Sequence, residues 1–108
     1  MSEKIYTLNE IKDILLKVAP EYDVEKIYIF GSYARGEAKA KSDLDFYVEN
    51  FNFLPFHSIF NFIGRMEIEF KKQVDVITNT SEQYIKDQFD KDLFNSIKKE
   101  RILCYERK

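Results

Sequence analysis

The stretch Lys26-Ile27-Tyr28-Ile29-Phe30-Gly31-Ser32, followed after ten residues by Asp43-Leu44-Asp45-Phe46-Tyr47-Val48, decides how this chain folds. The first five residues are a β-branched and aromatic run that stops at Gly31, the pattern of a buried strand entering a tight turn. Ser32 to Lys41 is small, polar and basic. Ser42 to Val48 then alternates like a second strand, so Asp43 and Asp45 project from one face while Leu44 and Phe46 point the other way, into the core.

Working outward, Leu8, Ile11, Ile14, Leu15 and Val18 recur at three and four residues and predict a helix, with Thr7 and Glu10 as a capping box and Pro20 as its stop. From Pro55, the residues Phe56, Ile59, Phe60, Ile63 and Met66 return to helical spacing. Val74-Asp75-Val76-Ile77 is a short third strand. Thr80 with Gln83 opens a further helical stretch carrying Ile85, Phe89, Leu93, Phe94 and Ile97, with a break possible near Asp90. Ile102-Leu103-Cys104-Tyr105 either completes that helix or adds a strand. Helices alternating with short strands make an α/β domain, a small sheet flanked by helices.

The chain has 108 residues, 44% hydrophobic and 33% charged, with three Gly and two Pro, the mixture of one globular domain over 1–108. This excludes a disordered tail, a collagen-like chain and a two-domain enzyme. A net charge of −2 offers no general attraction to nucleic acid or to an anionic membrane. Met1 to Tyr6 has no apolar signal core, and no apolar run approaches the roughly 18 residues needed to span a bilayer. The single Cys104 suits a reducing compartment, so a soluble cytoplasmic protein is expected. Ten Phe and seven Tyr are a heavy aromatic load for this length, and some of these rings are expected on a surface that a partner covers.

Asp-x-Asp on a strand is often a polar edge facing solvent. Asp75 weighs against that reading, because it interrupts an apolar strand where burial would favour another apolar residue. With the third strand beside the second, three carboxylates meet at one end of the sheet, a set suited to hard divalent cations, above all Mg2+. Gly31 leaves room for close approach of a ligand, and the Ser32 hydroxyl with the following N–H groups can donate to phosphate oxygens. Alone, the Gly-Ser turn would be only a connection between strand and helix.

Gly31-Ser32, ten residues, Asp43-Leu44-Asp45 and a later Asp75 together resemble the signature of the nucleotidyltransferase superfamily that includes DNA polymerase beta. Gly31-Ser32-Tyr33-Ala34-Arg35-Gly36 with Ser42-Asp43-Leu44-Asp45 and Val74-Asp75-Val76-Ile77 is similar, more closely, to the minimal nucleotidyltransferase (MNT) group. The match runs from Ile27 to Ile77, and it implies the polymerase beta-like fold with a mixed sheet.

The resemblance implies transfer of a nucleoside monophosphate from NTP to an acceptor hydroxyl, with pyrophosphate leaving. Asp43 and Asp45 would hold two Mg2+ ions, and Asp75 would complete the metal site and help deprotonate the acceptor. Gly31 and Ser32 would grip the triphosphate. Arg35 either pairs with a phosphate or caps local structure, and Lys39 and Lys41 add diffuse attraction or are simply solvated. Minimal members resemble antitoxins of HEPN/MNT modules, in which AMP from ATP is placed on a tyrosine of a HEPN ribonuclease toxin. Two other readings stay open: an antitoxin acting by steric occlusion without catalysis, and a small-molecule nucleotidyltransferase completed by another subunit of a homo- or hetero-oligomer. With three acids in one site, nucleotide binding is expected to depend on Mg2+. His57 and Cys104 lack ligand or catalytic partners in the sequence, and Lys98-Lys99-Glu100-Arg101 and Glu106-Arg107-Lys108 are expected to be solvated surface.

Overall fold

Thr7 opens the first helix, α1 (Leu8–Val18), by the expected reciprocal box: its hydroxyl accepts the Glu10 N–H at 3.1 Å and the Glu10 carboxylate accepts the Thr7 N–H at 3.0 Å. The computed structural model that contains it describes residues 4–52, 58–79 and 88–107. Pro55, Phe56, His57, Thr80, Gln83 and Ile85 therefore lie outside the described residues, as does the side chain of Phe89. Ile11, Leu15 and Val18 are fully buried, and Leu8 and Ile14 pack at the margin of the same cluster. A 3-10 turn, Ala19–Glu21, takes up Pro20 at the helix end.

β1 (Lys26–Phe30) and β3 (Val74–Thr78) fall where the sequence placed them, while β2 (Leu44–Glu49) begins two residues later than Ser42, leaving Asp43 just outside the strand. A single helical turn, α2 (Ser32–Arg35), follows β1 and ends on Gly36 in the left-handed region. The third helix, α3 (Ile59–Phe70), is capped by the Ser58 hydroxyl, which accepts the Asn61 N–H at 3.2 Å. Its buried stripe is Phe62, Met66 and Phe70. Phe60, which shares the helical spacing of Ile59, Ile63 and Met66, is 81% exposed.

The last helix, α4 (Gln88–Glu100), runs without a break at Asp90, and Ile102-Leu103-Cys104-Tyr105 belongs to a strand, β4 (Ile102–Glu106). β4 is stabilised by an edge that local periodicity does not reveal, pairing antiparallel with β1. The sheet has the order β3-β2-β1-β4. β1 is antiparallel to β2, and β2 is parallel to β3, so the sheet is mixed.

Alternation sends the two faces of the sheet to different partners. Ile27, Ile29, Leu44, Phe46 and Val48 join α1 and α3 in the main core. On the opposite face, Phe30 and Tyr47 meet Phe94 and Ile97 of α4. Among the described residues the aromatic side chains are largely inside: Tyr22, Phe51 and Phe62 form one ring cluster and Tyr6, Phe46 and Phe70 another, with centroid separations of 5.1–6.2 Å. Among the described residues, no helix is long and apolar enough to cross a membrane.

Candidate functional site

Because β1 runs opposite to β2 and β3, the end of β1 and the starts of the other two share one edge of the sheet. Phe30, Asp45 and Asp75 form one cross-strand row there. Asp45 lies between the buried Leu44 and Phe46 on its strand, so it faces the α4 side of the sheet. Asp43 stands one residue before β2, exposed like Asp75, while Asp45 is only partly accessible. The structure thus brings Asp43, Asp45 and Asp75 to the same end of the sheet as Gly31 and Ser32.

Gly31 has φ 74° and ψ −149°, a conformation that side chains disfavour. A Cβ at this position would also run into the Asp45 carboxylate, with Asp45 Cγ only 3.2 Å away. The turn and the acid are therefore packed against one another, and glycine is what allows it. The connection from Gly36 to Asp43 is tied down at two points, and the start of β2 at a third. The Ser42 hydroxyl accepts the Lys39 N–H at 2.8 Å, the ammonium of Lys72 donates to the Ala40 carbonyl at 2.5 Å, and the Leu44 N–H donates to the Gln73 carbonyl at 3.1 Å. Lys72 is 3% exposed.

Burial pushes the Asp45 carboxyl from its ordinary 3.8 up to about 6, with the Asp75 and Asp43 charges adding to the shift and Arg35 opposing it. Among the described residues no group of three acidic, His or Cys side chains forms a ready-made metal cage. The donor set nonetheless fits Mg2+: hard carboxylate oxygens, anionic charge gathered round a partly buried acid, and an open side. Mg2+ commonly binds through one or two carboxylates and completes its shell with water and substrate phosphate.

Arg35 is engaged by two acidic side chains at the surface of the fold. Its Nε donates to Glu37 at 3.3 Å, and its Nη1 donates to both oxygens of Glu100, each at 3.3 Å. Glu100 also accepts the Gly31 N–H at 3.1 Å. Two residues expected to be solvated are thereby part of the structure around the site. Besides Glu100, Arg101 stacks over Tyr28 at 4.1 Å and Tyr47 at 5.1 Å and pairs with Glu49 at 3.2 Å. Arg107 is exposed, as expected, and pairs there with Asp23 at 2.5 Å. No local signal in the sequence marks Glu100, which meets Gly31 across 69 positions. Cys104 is buried, and burial pushes its thiol pKa up.

Residues 9–108 match the family described as Polymerase beta, Nucleotidyltransferase. Two relatives from Methanocaldococcus jannaschii are named "Putative protein adenylyltransferase MJ1215" and "Putative protein adenylyltransferase MJ1379". The first is 41% identical over 75% of this chain and 99% of its own length, the second 39% identical over 81% and 95%. A solved toxin-antitoxin structure with AMP-PNP superposes with a TM-score of 0.63 at 19% identity, covering 95% of this chain and 76% of that one, which establishes likeness of fold. The chain belongs to the polymerase beta-like nucleotidyltransferase family, and its mixed four-stranded sheet flanked by helices is the fold of that family.

Proposed function

We propose that this nucleotidyltransferase is a Mg2+-dependent protein adenylyltransferase that acts as an antitoxin, moving AMP from ATP onto a hydroxyl, a tyrosine of a HEPN ribonuclease toxin being the favoured acceptor. The observation that carries the reading is the row in which Asp45 faces Asp75 across parallel strands beside the Gly31 turn. The names of the relatives support protein as the acceptor class, and the toxin-antitoxin neighbour with AMP-PNP is in keeping with ATP and a toxin partner. The HEPN identity of the partner rests on the motif resemblance.

In the reaction, the acceptor oxygen bonds to the α-phosphorus as the bond from that phosphorus to the bridging oxygen breaks, and pyrophosphate leaves while the hydroxyl gives up its proton. Asp43 and Asp45 would hold Mg2+, with Asp75 completing the set. When bound, the metal supplies positive charge for the phosphates and lowers the pKa of the attacking hydroxyl. Asp75, exposed at the strand start, would accept that proton. Gly31 and Ser32 would receive the phosphates, and the Gly31 backbone lets them approach without a side chain in the way.

The test is to incubate the protein with the candidate toxin, MgCl2 and ATP labelled at the α-phosphate. Label on the toxin that is lost in Asp43→Ala and Asp45→Ala is expected. If those variants neutralise the toxin as well as the wild type does at equal dose, occlusion rather than catalysis accounts for antitoxin action.

A further inference from the structure

We propose that Glu100 is the positioning residue of the nucleotide-binding turn: its carboxylate holds Gly31 and Arg35 in the shape that receives the phosphates, without touching the reacting atoms. This rests on the nucleotidyltransferase reading above and adds a residue from the far end of the chain to its site.

Three observations converge on it. Gly31 occupies a backbone conformation open essentially to glycine alone, and because glycine is free to leave it, the turn depends on outside contacts to hold its shape. Glu100 supplies that constraint directly, accepting the Gly31 N–H at 3.1 Å. The same carboxylate accepts Arg35 Nη1 at 3.3 Å, so one side chain grips the entrance and the exit of α2 together. With Nε on Glu37, two nitrogens of the guanidinium are engaged, which fixes its plane.

Glu100 is itself well anchored. It is the last residue of α4, whose Phe94 and Ile97 are buried against Phe30 and Tyr47. The next residue, Arg101, is held by its stack on Tyr28 and its pair with Glu49. A carboxylate on a helix end clamped on both sides can transmit its position to the turn. Its side chain is 27% exposed, less than that of Arg35 at 46%, so Glu100 is the more sheltered half of the pair.

The test uses the full chain with Glu100→Ala and Glu100→Gln. Hydrogen exchange of the metal-free protein reads the turn directly, and titration of a fluorescent ATP analogue with Mg2+ reads its consequence. Glu100→Ala is expected to lose exchange protection over residues 31–36 while α1 and α3 keep theirs. Its affinity for the analogue should fall about tenfold, with KM for ATP rising by a similar factor and kcat changing less than about threefold, the signature of lost positioning in nucleotide binding. Glu100→Gln keeps an oxygen for the Gly31 N–H and should recover to within about threefold of wild type. Unchanged protection at 31–36 in Glu100→Ala, or binding as tight as or tighter than wild type, overturns the proposal. Wild-type protein that binds no Mg2+ nucleotide overturns the functional reading instead, and is seen before any variant is compared.

Discussion

Asp45 on β2 and Asp75 on β3 are register partners on parallel strands, with Asp45 the partly buried member of the pair and Asp75 the exposed one. Burial first, and then the neighbouring Asp75 and Asp43 charges, raise the Asp45 carboxyl to about 6. A folded-state value above the ordinary 3.8 means that the folded chain keeps a proton that the unfolded chain releases. The stabilising contribution of this proton is fully present at low pH and is lost as pH rises through about 6. In metal-free protein, Asp45→Asn should therefore raise Tm at pH 7.5 and give little or no gain near pH 4, as checked by thermal unfolding in chelator at both pH values.

The same gathering of acids sets the requirement for a cation. Without one, a triphosphate approaching Asp43, Asp45 and Asp75 meets like charge, which a divalent ion reverses. Calorimetric titration with ATP should show binding in MgCl2 and none in excess EDTA. Tight binding in EDTA would mean that the acids do not face the phosphates.

Gly31 and Asp45 are locked together by sterics. Alanine at position 31 would have to adopt φ 74° and displace the Asp45 carboxylate. Gly31→Ala is expected to cost about 1–3 kcal/mol of stability and to abolish transfer even at temperatures where the variant is folded. Gly36 also has positive φ but open space around its Cβ position, so Gly36→Ala should cost less stability and leave measurable transfer. Denaturant unfolding and label transfer on the two variants check the contrast.

The acid row was legible in the sequence because it is written in local terms. Alternation put Asp43 and Asp45 on one face, and Asp75 stood out by interrupting Val74 and Val76. Strand order needed only that β3 lie beside β2. The support of the site was not legible, because Glu100 reaches Gly31 and Arg35 only after α4 has folded over the sheet. β4 was ambiguous for a related reason: a short apolar run does not disclose that β1 has an open edge to pair with. In α3 the period was right and Ile59 and Met66 do face the core, but Phe60 does not and Phe62 does, since spacings of three and four accommodate Phe60 as readily as Phe62.

Lys72 illustrates a buried charge that organises the connection leading to the acids. Its ammonium donates to the Ala40 carbonyl at 2.5 Å in the segment between α2 and β2. Replacing it by methionine keeps the apolar stem but leaves that carbonyl without the ammonium donor. Lys72→Met should cost about 1–3 kcal/mol in denaturant unfolding and lower transfer by loosening the approach to Asp43, with kcat and KM both affected.

Phe60 and Phe62 sit two positions apart on α3 with opposite surroundings. Phe62 is fully buried, its ring 5.1 Å from Tyr22 and 5.3 Å from Phe51, whereas Phe60 is 81% exposed. Removing the first ring leaves a cavity inside the main core, and removing the second only trades exposed apolar surface for water. Phe62→Ala should lose about 3–5 kcal/mol, while Phe60→Ala stays within about 0.5 kcal/mol of wild type. Urea unfolding of the two variants decides the phase of the helix, since a loss of several kcal/mol at position 60 with little change at 62 would require α3 to be rotated on the sheet.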